Sequence, residues 1–259
     1  MIATAIQSLA VATDMIDLHC HILPGIDDGA DCMDTAVGLA RQAVADGICH
    51  SVVTPHIHPG RYSNTAKSIV PVFNRFKSRL SKLDIPLQVT LAAEIRLSPE
   101  LITMVTRDQV PYIGTWNGFN VILLELPHSH VPPGTEELIR WLKEHNILPV
   151  IAHPERNKEL MQRIDKLSPL IEQGCLLQLT AMSVTGEFGP GAKHTAELIL
   201  QRDWASFIAT DSHHLLHRPA ILSKGARAAA YIIGAAKADT LIYTNPQKLL
   251  SPGEQSKCR

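Results

Sequence analysis

The 259-residue chain carries 24 basic and 25 acidic side chains, for a formal charge of −1, with 45% apolar and 19% charged residues. So much apolar material excludes global disorder, and the balanced charge offers no broad cationic field to a nucleic-acid backbone. No run of about 18 apolar residues exists, so no bilayer-spanning helix is expected.

In chain order, residues 1–14 lack the basic start and long apolar run of a secretory signal. They are expected to form an extension, disordered or created by a misassigned start, ahead of a single domain over 15–259. Short apolar runs then alternate with helical stretches. Strands are predicted at 16–21, 51–56, 88–94, 120–125, 148–153, 175–180 and 205–211. Helices are predicted near 34–46, 63–82, 99–106, 134–145, 155–173, 190–202 and 219–236. In the first helix Asp34 can cap, Val37, Ala40 and Val44 make an apolar face, and Gly47 can end the helix in the left-handed conformation. Apolar strands each followed by a helix indicate an α/β chain with a parallel sheet buried on both faces, either closed into a barrel or open and doubly wound.

Five cysteines without CxxC spacing suggest neither a disulfide framework nor a zinc knuckle, which favours a reducing cytoplasm. None has an arginine six positions later, so the Cys-x5-Arg loop of cysteine-dependent phosphatases is missing. GxxxxGK[ST], GxGxxG and GxSxG are missing too.

Six of the seven predicted strands end in a metal-ligand type of side chain. The first ends in His19 and His21, followed by Asp27 and Asp28. The next four end in His56, Glu94, Glu125 and His153, and the last runs into Asp211 and His213. Only the sixth, with Gln178 and Thr180, lacks one. Parallel strands bring their C-terminal ends to one face, and His19 and His21, two apart, share a side of their strand. Imidazoles and carboxylates gathered there would repel and lose hydration unless cations compensated them. His19, His21, Asp28, His56, Glu94, Glu125, His153, Asp211 and His213 are too many for one ion but suit two or three if Glu94 and Glu125 bridge. Donors of this kind without thiolate favour Mn²⁺, Fe²⁺ or Zn²⁺. Arg156, Arg218 and Arg61 lie on loops above the same face, an arrangement suited to a phosphate monoester. His128 and His130, on a proline-rich loop, are expected at the rim. His50, His145 and His194 are expected at solvent or at helix ends.

Taken together, MIDLHCHILPGIDDGA, TPHIHPGRY, AAEIR, LLELP, IAHPERN, LLQLTAMSVTGEFG and ATDSHH, spread between Met15 and about Leu250, resemble the PHP (polymerase and histidinol phosphatase) superfamily. Within it they are most similar to the CpsB/CapC-type manganese-dependent bacterial protein-tyrosine phosphatases. The resemblance implies a distorted (β/α)7 TIM-like barrel with three divalent ions, manganese foremost, at the C-terminal ends of its strands. It implies that His19, His21, Glu94 and Asp211 hold one ion. Glu94, Glu125 and His153 would hold the second, and Asp28, His56 and His213 the third, with Asp27 the alternative to Asp28. Arg156 and Arg218 would grip phosphate, with Arg61 beside them.

The implied substrate is phosphotyrosine on the tail of the autophosphorylating tyrosine kinase of capsule or exopolysaccharide export. The expected nucleophile is a hydroxide bridging two ions, and Asp211 or a neighbouring histidine is available as general acid. Two other functions remain open: a small-molecule phosphatase of the histidinol-phosphate type, and a non-catalytic metal-stabilised regulatory module.

Overall fold

The structure, a computed structural model, describes residues 14–251. The expected N-terminal extension lies outside those residues except for Asp14. The chain opens with β1 (Met15–Cys20), α1 (Met33–Asp46), β2 (Ile48–Val53), β3 (His56–Ile57), α2 (Ala66–Lys82), β4 (Gln88–Leu91) and β5 (Glu94–Arg96). There follow α3 (Glu100–Thr106), β6 (Gly114–Trp116), β7 (Phe119–Glu125), α4 (Thr135–Glu144) and β8 (Ile147–Ala152). Beyond a 3-10 turn at Pro154–Arg156 lie α5 (Lys158–Gln162), a second such turn (Ile164–Leu167), α6 (Ser168–Glu172), β9 (Leu176–Thr180), α7 (Ala181–Thr185), α8 (Pro190–Gln201) and β10 (Phe207–Ala209). The last elements are α9 (Ser223–Ile233), α10 (Ala235–Asp239), a π-helical turn at Thr240–Thr244 and α11 (Asn245–Leu250). No described helix is long and apolar enough to cross a membrane.

Two parallel sheets share the work of one barrel. The first has the order β1-β2-β4 and the second β10-β9-β8-β7-β5-β3, with β6 antiparallel to β7. β3 continues β2, and β5 continues β4, after short breaks at Thr54–Pro55 and Ala92–Ala93. The ring closes where the Asp211 N–H donates to His19 O and the His21 N–H to Ser212 O, both at 2.8 Å. The result is a distorted (β/α)7 barrel rather than an open sheet.

The predicted strands 51–56 and 88–94 are therefore each two pieces. Pro55 has no N–H to give a ladder, and pairing passes there from the first sheet to the second. The expected helix over 155–173 is broken by the Asn157 cap, by the non-helical backbone of Arg163 and before Pro169. Asp34 does not cap α1; it sits in the first turn, while Gly47 ends the helix at φ 95° as expected. The β6–β7 hairpin, which the sequence reading does not anticipate, turns at Asn117–Gly118, whose φ values of 49° and 88° match the two-residue turn that this dipeptide favours.

Alternation along the staves separates two cores. Val121, Leu123, Leu148, Val150 and Phe207 point inward, whereas Ile122, Leu124, Ile151 and Ile208 face the helices. A register shift between Asp17 and Cys20 places both Leu18 and His19 on the inner side. The N-terminal mouth is plugged: Leu249 joins the inner core, and the Trp116 ring stands edge-on to Phe207 at 5.9 Å. Leu249 and Phe207, fully buried, each contribute about 1.5–3 kcal/mol. Apolar packing thus fills the barrel from below and leaves polar groups only the C-terminal mouth.

Candidate metal centre

All nine sequence-derived imidazoles and carboxylates meet at that mouth. His19 and His21 leave β1, Asp28 follows in the next loop, and His56 and Glu94 open the continued staves. Glu125 ends β7, His153 follows β8, and Asp211 and His213 follow β10. Most are buried; Asp28 retains 38% of its side-chain exposure. His153 and Asp211 have φ of 32° and 52°, in the left-handed region that residues other than glycine seldom adopt.

The donor atoms form four overlapping groups, each within 4.8 Å: His21, Asp28, His56 and His213; His19, His21 and Asp211; His19, Glu94 and His153; and His56, Glu94 and Glu125. The grouping differs from expectation in several respects: Glu125 falls with His56 rather than His153, Glu94 stands apart from the His19, His21 and Asp211 group and joins His19 with His153, and His21 also joins Asp28, His56 and His213. His153 Nε2 is drawn to Glu94 Oε1 at 2.8 Å, and Arg96 holds Glu125 Oε1 at 3.0 Å.

These distances fit a cation. Around an ion with ~2.1 Å bonds, neighbouring ligands stand about 3.0 Å apart at right angles and ~3.4 Å apart at tetrahedral angles. His19 Nε2 lies 3.0 Å from His21 Nε2, 3.4 Å from Glu94 Oε2 and 3.3 Å from Asp211 Oδ1. His21 Nε2 lies 3.3 and 3.5 Å from the same two oxygens. Glu94 Oε2, Glu125 Oε2 and His56 Nδ1 are buried with no hydrogen-bond partner. Although the Glu94 and His56 atoms approach to 2.9 Å, they are not aligned to bond.

The surrounding side chains also orient the imidazoles. The Gln178 amide N–H donates to Leu179 O at 2.7 Å, which turns Oε1 toward His19. His19 Nδ1–H then donates to that oxygen at 2.7 Å, so that once the ring is neutral its lone pair lies on Nε2. The two aspartates of the DDG segment stand apart: the Asp27 side chain, buried, lies 3.0 Å from His21 Nδ1 and accepts from the backbone N–H of Gly29 and His56. Its neighbour Asp28 reaches His56 Nε2 and His213 Nε2, at 3.3 and 3.5 Å. Gly29 is required because a Cβ there would lie 1.9 Å from His21 O.

Asp211 is shared between two sides. Oδ1 faces His19 and His21, while Oδ2 accepts from both Arg156 and Arg218. Arg61 stands at the rim, 59% exposed and 3.5 Å from Asp28. The cavity, about 210 Å³, is lined further by His58, Arg96 and His128. His130 is exposed, as expected for the rim, but His50, expected at solvent, is buried and bonded to Thr90.

Sequence reading assigns no role to Arg96, Phe188 or Asp17, although each lies within a motif of the resemblance. Asp17 is buried beneath the ring closure, accepting from Thr210 N–H and Oγ1–H at 2.9 and 2.5 Å. Its burial outweighs those bonds and lifts its pKa to about 6.

Charge coupling is strong. Burial resists protonation of His19, but Glu94 and Asp211 outweigh it and raise the pKa to about 9. His56 is lifted in the same way to about 11, by Glu94 and Asp28. Burial, reinforced by His21, lowers His213 to about 4. Burial alone would raise Asp211, yet Arg218, His19, His213 and Arg156 hold it well below the usual carboxylate range. A protonated imidazole cannot ligate, so His19 and His56, if they hold a cation, would each lose a proton when it binds. Metal affinity should rise from pH 6 to 8, with proton release visible as a dependence of calorimetric heat on buffer ionisation enthalpy. A pH-independent affinity would contradict this coupling.

A barrel with this mouth, where imidazoles and carboxylates gather in overlapping groups, defines a candidate metal-binding protein. The chain belongs to the CpsB/CapC family, matching "Capsular polysaccharide synthesis, CpsB/CapC" over residues 15–251. It is 37% identical to the tyrosine-protein phosphatase YwqE of Bacillus subtilis over 204 residues, 79% of either chain. It is 26% identical to the tyrosine-protein phosphatase CpsB of Streptococcus pneumoniae over 245 residues, 91% of this chain and 98% of that one. The fold superposes with a TM-score of 0.84, at 33% identity, on a crystal structure from work describing YwqE and CpsB as unique metal-dependent tyrosine phosphatases. The match covers 91% of this chain and 94% of that one.

Proposed function

We propose that this chain is a metal-dependent phosphomonoesterase acting on phosphotyrosine in protein, with three ions, manganese foremost, held by His19, His21, Asp28, His56, Glu94, Glu125, His153, Asp211 and His213. The observation that carries this reading is the convergence of Arg156 and Arg218 on Asp211, beside paired imidazoles and unpartnered carboxylate oxygens. Divalent ions there would acidify water to a nucleophile near neutral pH and offset the charge of the phosphate.

The chain's own part is to bind and orient. Arg156 and Arg218 each give one N–H to Asp211 and keep further donors for phosphate oxygens, whose charge shifts in the transition state. Asp211, engaged on both oxygens and held ionised, serves as anchor and ligand rather than proton donor. A phenol with a pKa of about 10 leaves with less help from an acid than a serine alkoxide would. Family membership supports a substrate on the tyrosine-rich tail of a capsule or exopolysaccharide kinase. The four described cysteines are unpaired, which suits the cytoplasm where such a tail would lie.

The decisive comparison is kcat/KM on a phosphotyrosine peptide and on histidinol phosphate, before and after chelation. A preference for the peptide that chelation abolishes is expected. A preference for histidinol phosphate would overturn the substrate assignment, and activity indifferent to chelation would overturn the metal.

A further inference from the structure

The loop between α7 and α8 brings nothing ionisable into the cavity, yet it touches both arginines. The guanidinium carbon of Arg156 lies 4.6 Å from the Phe188 ring centroid, and that of Arg218 lies 5.7 Å away. The two arginines arrive from different staves, one after β8 and one after β10. Their common polar partner is a single carboxylate oxygen, Asp211 Oδ2. One negative charge shared by two cations leaves their mutual repulsion partly unopposed.

We propose that Phe188 is a positioning residue: its ring face holds both guanidinium groups in one fork and so sets the affinity of the mouth for phosphate. This rests on reading Arg156 and Arg218 as the phosphate grip. An aromatic face carries the negative end of its quadrupole toward a cation, and the attraction strengthens where water is displaced. Both arginines are mostly buried, at 19% and 23% side-chain exposure, so that condition is met. Arg218 Nε is buried without a partner, so the fork keeps donor capacity beyond Asp211.

The loop is built to keep the ring still. Met182 O accepts from the N–H groups of Glu187 and Phe188, at 2.9 and 3.4 Å, and Gly189 N–H donates to Gly186 O at 3.0 Å. Left-handed glycines at 186 and 189 bracket the segment, with φ of 96° and 93°. Phe188 thus ties the loop after β9 to the loops after β8 and β10. The segment's place among the resemblance motifs does not reveal this contact, because it depends on barrel closure.

The test compares Phe188→Ala, Phe188→Leu and Phe188→Tyr with the unaltered metal-loaded protein. Leucine keeps the bulk without the ring face, and tyrosine keeps the face. Calorimetric binding of inorganic phosphate should weaken about tenfold in the alanine and leucine variants and recover with tyrosine. KM for a phosphotyrosine peptide should follow the same order, with kcat changing less and bound metal unchanged. If the alanine variant does not fold, the leucine variant carries the comparison. Phosphate affinity in Phe188→Leu equal to that of the unaltered protein would overturn the proposal. If the unaltered protein itself fails to bind phosphate, the functional reading fails instead. The Nε–Hε NMR signals of Arg156 and Arg218 then decide the role of Phe188: lost order in Phe188→Leu is expected, and unchanged order would overturn it.

Discussion

Glu94→Gln is expected to lower kcat/KM on a phosphotyrosine peptide by about 10³-fold or more, some 4 kcal/mol of transition-state stabilisation, and to reduce bound metal per chain. The size follows from position. Glu94 is fully buried, and its two oxygens reach four imidazoles: Oε2 lies 2.9 Å from His56, 3.3 Å from His21 and 3.4 Å from His19, while Oε1 lies 2.8 Å from His153. No other carboxylate here has that reach. Glutamine keeps the shape but removes the charge, so two cations that would share the carboxylate lose their common counter-ion. The same charge helps raise His19 and His56 above their ordinary pKa. Its loss should therefore lower both, and the proton release on metal binding should shrink. Metal analysis and steady-state kinetics on folded protein check the main effect; full activity with undiminished metal would remove Glu94 from the centre.

Much of this site was legible because strand ends in a parallel barrel share one face. His-x-His at the end of β1 and single imidazoles or carboxylates at later strand ends needed only period and topology to be placed together. Two kinds of feature were harder. Where a stave breaks, as at Thr54–Pro55 and Ala92–Ala93, His56 or Glu94 begins a new strand, and an apolar run cannot show that pairing has moved to another sheet. Side chains that act through another residue were harder still. Gln178 was the one strand end without a charge, yet it fixes the His19 tautomer, a role visible only once two strands far apart in sequence stand side by side. Asp27 and Asp28 are equivalent in composition. The tight approach of Gly29 to His21 O turns one inward to an imidazole and the other toward the mouth. Phe188 belongs to this class as well.

Removing both arginines, in Arg156→Ala with Arg218→Ala, should separate phosphate binding from metal binding. Each single change is expected to lower kcat/KM by about 10²-fold, the scale for losing one donor to a developing oxyanion, and the pair by more. Bound metal should persist, because Asp211 meets His19 and His21 through Oδ1, the oxygen that the arginines do not touch. Lysine at either position restores the charge but not the planar fork, so it should recover only part of the loss. Stability supplies an independent readout. With both guanidiniums gone, Asp211 Oδ2 is a buried carboxylate oxygen stripped of its donors, a change that costs about 3–5 kcal/mol when a buried pair is broken. A bound cation offsets part of that cost, so the rise in Tm on adding Mn²⁺ should be larger in the double variant than in the unaltered protein. Unaltered turnover in the double variant would reduce Arg156 and Arg218 to supports for Asp211, and the phosphate would then need another grip, with Arg61 and Arg96 the remaining guanidiniums of the cavity.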